Sequence, residues 1–185
     1  MIESKIQKNY SLAPLSTFKI GGPAEYFIEV TEKNEIEDAW FWAKENKLPV
    51  TLLGGGSNIL IADTGIKGLV MKLNNLEMKV DGTNIVCGAS AQVWDVAQLA
   101  VDNNLSGLEW AIGIPGSIGG AVRGNAGAHG GSFDNIVKSV RVFNSENNEW
   151  QEFLNKECGF AYRHSIFKQE PHFIIWQSTL SLEPG

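Results

Sequence analysis

Apolar residues recur along the chain at two periods, and each period predicts an element. Ile36, Ala39, Trp40 and Ala43 fall at i, i+3, i+4 and i+7, one face of a helix over about residues 32–47. Thr31 stands where the cap of that helix belongs. A β-like run at 26–30 follows the break Gly21-Gly22-Pro23, and a short apolar run at 50–53 follows Pro49. Strand, helix and strand in that order predict parallel pairing. Residues 59–61 and 69–73 read as two more strands, and 74–90 as shorter β pieces with Asp81-Gly82 as a hairpin turn. Ser90 is placed to cap a second helix over about 91–103, with Val93, Val96, Ala97 and Ala100 on one face and Asn103-Asn104 at its end.

Beyond residue 133 the period changes to two. Residues 136–143 alternate through Val140 and Val142, 144–148 form a polar turn, and 150–153 pair back on the preceding strand. Asn155-Lys156-Glu157 opens a short helical turn, and 173–182 alternate again. This half predicts an antiparallel sheet. The mixed, polar residues 1–19 read as an arm. The whole is α+β, with a first lobe over residues 1–75 and a second over 76–185.

Glycine and charge change the picture. Residues 111–131 read AIGIPGSIGGAVRGNAGAHGG and hold eight glycines, and no Asp or Glu lies between Trp110 and Phe133. Leu53-Gly54-Gly55-Gly56-Ser57-Asn58 is a second glycine loop without acid. Successive N–H groups in such turns bind anions. Two such loops point to a ligand with negative charge along its length, a dinucleotide, rather than to two plain turns. Neither usual nucleotide fingerprint is present. Gly56 is followed by Ser57-Asn58, so no lysine reaches a phosphate, and Ile59 stands where a third Rossmann glycine is required.

The formal net charge of -6 gives no support to a nucleic-acid partner. No apolar run is long enough to cross a membrane, and the N-terminal residues lack the apolar core of a secretory signal. Cys87 and Cys158 show no metal-ligand spacing, so no metal is assigned. They read as buried small apolar residues in a cytoplasmic protein.

Four segments taken together resemble the UDP-N-acetylenolpyruvoylglucosamine reductases (UDP-N-acetylmuramate dehydrogenases), flavoenzymes of bacterial peptidoglycan synthesis. They are Ser16-Thr17-Phe18-Lys19-Ile20-Gly21-Gly22-Pro23-Ala24, Leu53 through Asn58, Gly107-Leu108-Glu109 with 112–131, and Gly159-Phe160-Ala161-Tyr162-Arg163-His164-Ser165. The resemblance implies the vanillyl-alcohol-oxidase fold, with FAD held non-covalently between two α+β subdomains. It places Gly54, Gly55, Gly56, Ser57, Asn58 and Ile59 around the FAD pyrophosphate. It runs Ile114, Pro115, Gly116, Ser117, Gly119 and Gly120, then Asn125, Ala126 and Gly127, along the ribityl chain and flavin.

The implied reaction takes hydride from NADPH through FAD to the vinyl carbon of UDP-N-acetylglucosamine enolpyruvate, and protonation then yields UDP-N-acetylmuramate. Arg163 matches the family's active-site arginine, suited to a carboxylate that gains enolate character, and Tyr162 is its neighbour. On the residues alone, Tyr162-Arg163 reads as a surface ion pair beside an aromatic. The family's proton-donating serine and a glutamate belong to a C-terminal substrate domain, and nothing here matches either. The resemblance therefore implies the FAD-binding part of such an enzyme, inefficient alone, with Glu183-Pro184-Gly185 as the start of a linker. Without that domain an apolar face would be exposed, through which the chain could dimerise.

Two positions depart from the family pattern. His129 stands where an aromatic is common, and is either a flavin contact or a satisfied loop histidine. Gly124 stands where a larger residue is usual. Trp94, Trp110, Trp150 and Trp176 read as packing residues. Two alternatives stay open: a flavin oxidase or dehydrogenase of the same fold acting on another substrate, with His129 or Cys158 as a tether, and a non-catalytic FAD-binding module.

Overall fold

The computed structural model describes residues 2–185. The chain folds as two compact units, the first ending at Asn74 and the second spanning Asn75–Gly185.

The first unit contains β1 (Gln7–Ser11), β2 (Pro23–Val30), α1 (Lys33–Glu45), β3 (Val50–Leu53) and β4 (Ile66–Leu73). Its sheet runs β1-β2-β4-β3. The predicted parallel pairing is present, but β2 and β3 do not touch: each pairs with β4, which lies between them. Residues 68–71 of β4 are buried without interruption, as a central parallel strand requires. The expected arm instead supplies β1, antiparallel to β2. Its polar, exposed residues are those of an edge strand, which carries little apolar signal. Leu12, Ala24, Phe27, Leu53, Ile61 and Val70 form one core cluster, with Tyr10 stacked on Phe27 at 4.0 Å. Each large apolar side chain buried there contributes about 1.5–3 kcal/mol.

Residues 59–61 are not a strand. Ile61 enters the core, Ile59 packs against it and Leu60 is exposed, so the side chains alternate as in a strand. The neighbouring Ala62 carbonyl instead accepts the Gly22 N–H at 2.9 Å, and no ladder forms.

Helix α1 buries Ile36, Ala39 and Ala43 as the periodicity predicts. Its N-cap is Glu32 rather than Thr31, because Glu35 reaches back. The Glu35 carboxylate accepts the N–H groups of Thr31 (2.8 Å) and Glu32 (3.1 Å) and the Thr31 hydroxyl, and it pairs with the Lys5 ammonium. Burial alone would raise its pKa, but Lys5 and these donors outweigh burial and hold the carboxyl at about 2, against an ordinary 4.5. A depressed carboxylate stabilises the fold above its ordinary pKa, and that stability is lost as pH falls through the folded value. Glu35→Gln is therefore expected to cost about 1–2 kcal/mol at neutral pH. Urea titrations should show that deficit shrinking between pH 4.5 and 2. A deficit independent of pH would remove the carboxylate's part.

The second unit comprises β5 (Met78–Asp81), β6 (Asn84–Gly88), α2 (Val93–Asp102), β7 (Leu105–Ser106), α3 (Ile118–Arg123), β8 (Gly127–Ala128), β9 (Gly131–Ser132), α4 (Phe133–Ile136), β10 (Val137–Asn144), β11 (Glu149–Leu154), α5 (Ile166–Gln169), β12 (Phe173–Ser181) and β13 (Glu183–Pro184). Five strands form an antiparallel sheet in the order β11-β10-β12-β6-β5. Val93, Val96, Ala97 and Ala100 are the buried face of α2. The helix begins at Val93 with Gln92 as N-cap, two residues beyond the expected Ser90 cap. Residues 89–93 are occupied in pairing with the start of α3: Val93 N–H bonds Gly116 O, and the Ala91 and Ala89 carbonyls accept Ile118 and Gly119 N–H.

Trp176 is buried and Trp150 and Trp110 half-buried, but Trp94 is 53% exposed on the outer face of α2, contrary to expectation. Residues 183–185 are not a loose linker. Glu183 and Pro184 pair with Ser106 and Leu105, and Gly185 N–H bonds Asn104 O at 2.9 Å. Among the described residues no helix is long and apolar enough to cross a membrane.

Candidate active site

The first glycine loop joins β3 to β4 and is strapped by the opening motif. Gly56 has φ +69°, and a Cβ there would lie 2.0 Å from the Leu15 carbonyl oxygen. The Gly56 carbonyl accepts the Thr17 N–H at 3.0 Å, while buried Ser16 donates its hydroxyl to Ile20 O at 3.1 Å. Gly56 is thus a close-packing glycine, and Ile59 belongs to the core margin. Gly54, Gly55 and Asn58 are exposed, and Ser57 is half-buried.

The second stretch opens at Glu109, whose carboxylate accepts the Gly107 N–H at 2.8 Å. Its own N–H, the Ser106 side chain and the Gly107 N–H hold its carboxyl below the usual range. Pro115 is exposed, and Ile114 and Gly116 are half-buried. Ser117 is buried at the N-cap of α3, and Gly119 is pressed onto Ala89. Gly120 differs: an added Cβ would meet only Ser117 Oγ at 3.5 Å, so the chain's own packing does not demand glycine there. After α3, Asn125, Ala126 and Gly127 lead into the β8–β9 hairpin, whose tip residues His129 and Gly130 both have positive φ. Gly131 lies against the Trp110 indole, where a Cβ would come within 2.3 Å of the ring.

The structure brings this hairpin to the Tyr-Arg turn. Ala161 and His164 close the turn with two backbone bonds, and Arg163 sits in it at φ +54°. Arg163 Nη2 donates to Gly127 O at 3.0 Å, Lys168 Nζ caps the Arg163 carbonyl at 2.9 Å, and the guanidinium lies 5.7 Å from the Tyr162 ring centre. Tyr162 is 90% exposed. Among the described residues Arg163 makes no ion pair, so the surface ion pair expected from the residues alone is absent. Asn125, the hairpin over 127–132, Asp134, Tyr162 and Arg163 together line an open depression of about 290 Å³. A fixed, unpaired guanidinium beside bare backbone suits a carboxylate or other planar anion.

Some assignments gain detail that the sequence did not carry. The Asn125 side chain is turned inward: Nδ2 donates to Ala161 O at 3.0 Å and Oδ1 accepts the Asp134 N–H at 2.9 Å. Ser165 is fully buried and donates its hydroxyl to Arg123 O at 2.7 Å. Only the small polar residue type at each position hinted at these clamps. Cys158 is buried with its thiol pushed up to about 12 by burial and then by Glu157, and burial does the same to Cys87, so neither is a ready nucleophile.

The donor set fits FAD. Each unit taken by itself offers such features: Gly54 and Gly55 are exposed in the first, and in the second Gly120 has room for a ligand that its own chain does not fill and the Arg163 guanidinium reaches the hairpin.

Comparison with known proteins agrees. Residues 24–153 match the family described as FAD binding domain. The UDP-N-acetylenolpyruvoylglucosamine reductase of Lactobacillus johnsonii is 42% identical over 183 residues, 97% of this chain and 60% of its own length. A crystal structure of the Thermus caldophilus UDP-N-acetylenolpyruvylglucosamine reductase superposes at TM-score 0.82 with 30% identity, covering 97% of this chain and 63% of that one. A solvent-stable cholesterol oxidase, 15% identical, shares the fold at TM-score 0.71 over 96% of this chain and 37% of its own. The expected α+β, vanillyl-alcohol-oxidase type of fold is thereby borne out, and the chain spans about 60% of the length of the curated relatives it matches. On this match, which covers most of its length, the chain belongs to the FAD-binding-domain family.

Proposed function

We propose that the chain is the FAD-holding part of an NADPH-dependent reductase. The substrate is UDP-N-acetylglucosamine enolpyruvate, the product UDP-N-acetylmuramate, and the setting cytoplasmic peptidoglycan synthesis. The observation that carries this reading is the meeting of the glycine hairpin with Arg163 through the Gly127 carbonyl. Bound FAD, held non-covalently, supplies the hydride relay between NADPH and the vinyl carbon of the substrate.

The chain's own residues bind and orient. Backbone N–H groups of Gly54 to Ile59 receive the pyrophosphate, with Gly54 and Gly55 leaving their backbone open to it. Residues 114–117 with Gly119 and Gly120, then Asn125 to Gly127, bound the ribityl and flavin side. Arg163 holds the substrate carboxylate and stabilises the negative charge that grows on it as the enolate forms. Tyr162 closes one wall. No residue of this chain is assigned the proton that completes the reaction, because none of the 185 matches the family's donor. Without such a donor about 10²–10⁴ in rate is forgone.

The test is a visible absorption spectrum of the purified chain, taken before and after FAD addition and desalting. A flavin spectrum retained near one FAD per chain, bleached by NADPH, is the expected result. A folded chain that retains no flavin would overturn the reading.

A further inference from the structure

Asn125 ties three pieces of the second unit together while its polar atoms face inward. It is 5% exposed, sits just after α3 at φ +41°, and spends both ends of its amide on backbone. Its Nδ2 reaches Ala161 O, 36 residues away in the chain, and its Oδ1 takes the N–H of Asp134. Ala161 is the first residue of the turn that carries Arg163, and its carbonyl accepts the turn-closing His164 N–H as well. Two residues beyond Asn125, the Gly127 carbonyl receives the Arg163 guanidinium. Arg163 has a left-handed backbone, which a non-glycine residue keeps only when its surroundings hold it.

We propose that Asn125 is a positioning residue for Arg163: it locks the Ala161–His164 turn to the glycine hairpin and so aims the guanidinium. The catalytic meaning of this lock rests on the reading of Arg163 given above. Position 125 needs a donor, an acceptor and tolerance of positive φ on one short side chain, and asparagine supplies all three. Aspartate keeps the acceptor and loses the donor. Glycine keeps the backbone freedom and loses both. Ser165, through its bond to Arg123 O, clamps the far end of the same turn.

The experiment compares the 185-residue chain with Asn125→Asp and Asn125→Gly. It reads the Arg163 guanidinium and Asp134 amide signals by NMR, trypsin cleavage after Arg163, and the melting temperature. In the parent chain the guanidinium signals are expected to be resolved by the bond to Gly127 O. They should collapse towards those of a free arginine in both variants, with cleavage after Arg163 at least tenfold faster than in the parent. Exchange of the Asp134 amide should accelerate only in Asn125→Gly. Unchanged guanidinium signals and cleavage would overturn the proposal. So would an equal rise of cleavage at every Lys and Arg with a lowered melting temperature, which marks a global role. If Asn125→Gly does not fold, Asn125→Asp decides. None of these readouts needs FAD, so failure of the flavin reading and failure of the lock are told apart.

Discussion

Arg163→Ala in the complete enzyme is expected to lower kcat by about 10²–10³-fold while FAD stays bound, the cost of removing one preorganised donor to a developing oxyanion. The expectation follows from what Arg163 does in the fold. Among the described residues its guanidinium has one hydrogen-bond acceptor, the Gly127 carbonyl, and no carboxylate partner, so most of its donors remain for a ligand. It stands on a turn closed by its own backbone bonds and is exposed, so its removal leaves no cavity. Stability should therefore change little, and the flavin spectrum should persist. Lysine at 163 should rescue only a small part, because a point charge does not reproduce a planar fork. Steady-state kinetics with NADPH and substrate decide the matter. A variant with normal kcat would remove Arg163 from the chemistry, and one that also loses flavin would make it a cofactor ligand instead.

The second large effect is expected at neighbouring glycines of the first loop, with opposite causes. Gly56→Val would drive a Cβ to 2.0 Å from the Leu15 carbonyl oxygen and force a β-branched residue to φ +69°. The backbone conformation alone costs about 1–2 kcal/mol, and the collision displaces main chain rather than a flexible side chain. The strap formed by residues 15–17 should lift, the melting temperature should drop by roughly 10 °C or more, and FAD should be lost as a consequence. Gly55→Val, at an exposed position, should lose FAD with the melting temperature of the flavin-free chain nearly unchanged. Calorimetry without FAD and flavin titration separate the two. Full FAD affinity in Gly55→Val would mean that the pyrophosphate does not approach this loop.

What the sequence revealed depended on whether a feature repeats locally. The buried faces of α1 and α2 follow the 3.6-residue period, and each predicted face residue except the half-buried Trp40 is buried. Strand β1 was missed because an exposed edge strand needs no apolar alternation, and 59–61 misled because alternation persisted where the carbonyls bond elsewhere. Glu183-Pro184-Gly185 has the composition of a linker, yet its backbone groups pair with 104–106. In the site, the density of glycine and the acid-free run over 111–131 were legible, but not that Asp134 joins the lining of the depression. The separate tasks of Gly56, Gly120 and Gly131 were not, because each depends on which distant atom stands opposite the missing Cβ. The same holds for Asn125, whose partners lie in two other segments.

The strand order of the first unit also dictates a sequence of events during synthesis. Strand β3 leaves the ribosome before β4, and in the order β1-β2-β4-β3 it has no partner until β4 slides into the gap beside β2. The nascent unit can form the β1–β2 hairpin early, but its parallel half waits for residue 73. The glycine loop is the tether along which that last insertion runs, since it joins β3 directly to β4. The cofactor capture proposed for this loop would therefore be tied to the closing step of the unit, and a nascent chain stalled short of β4 would display the glycines without the scaffold that shapes them.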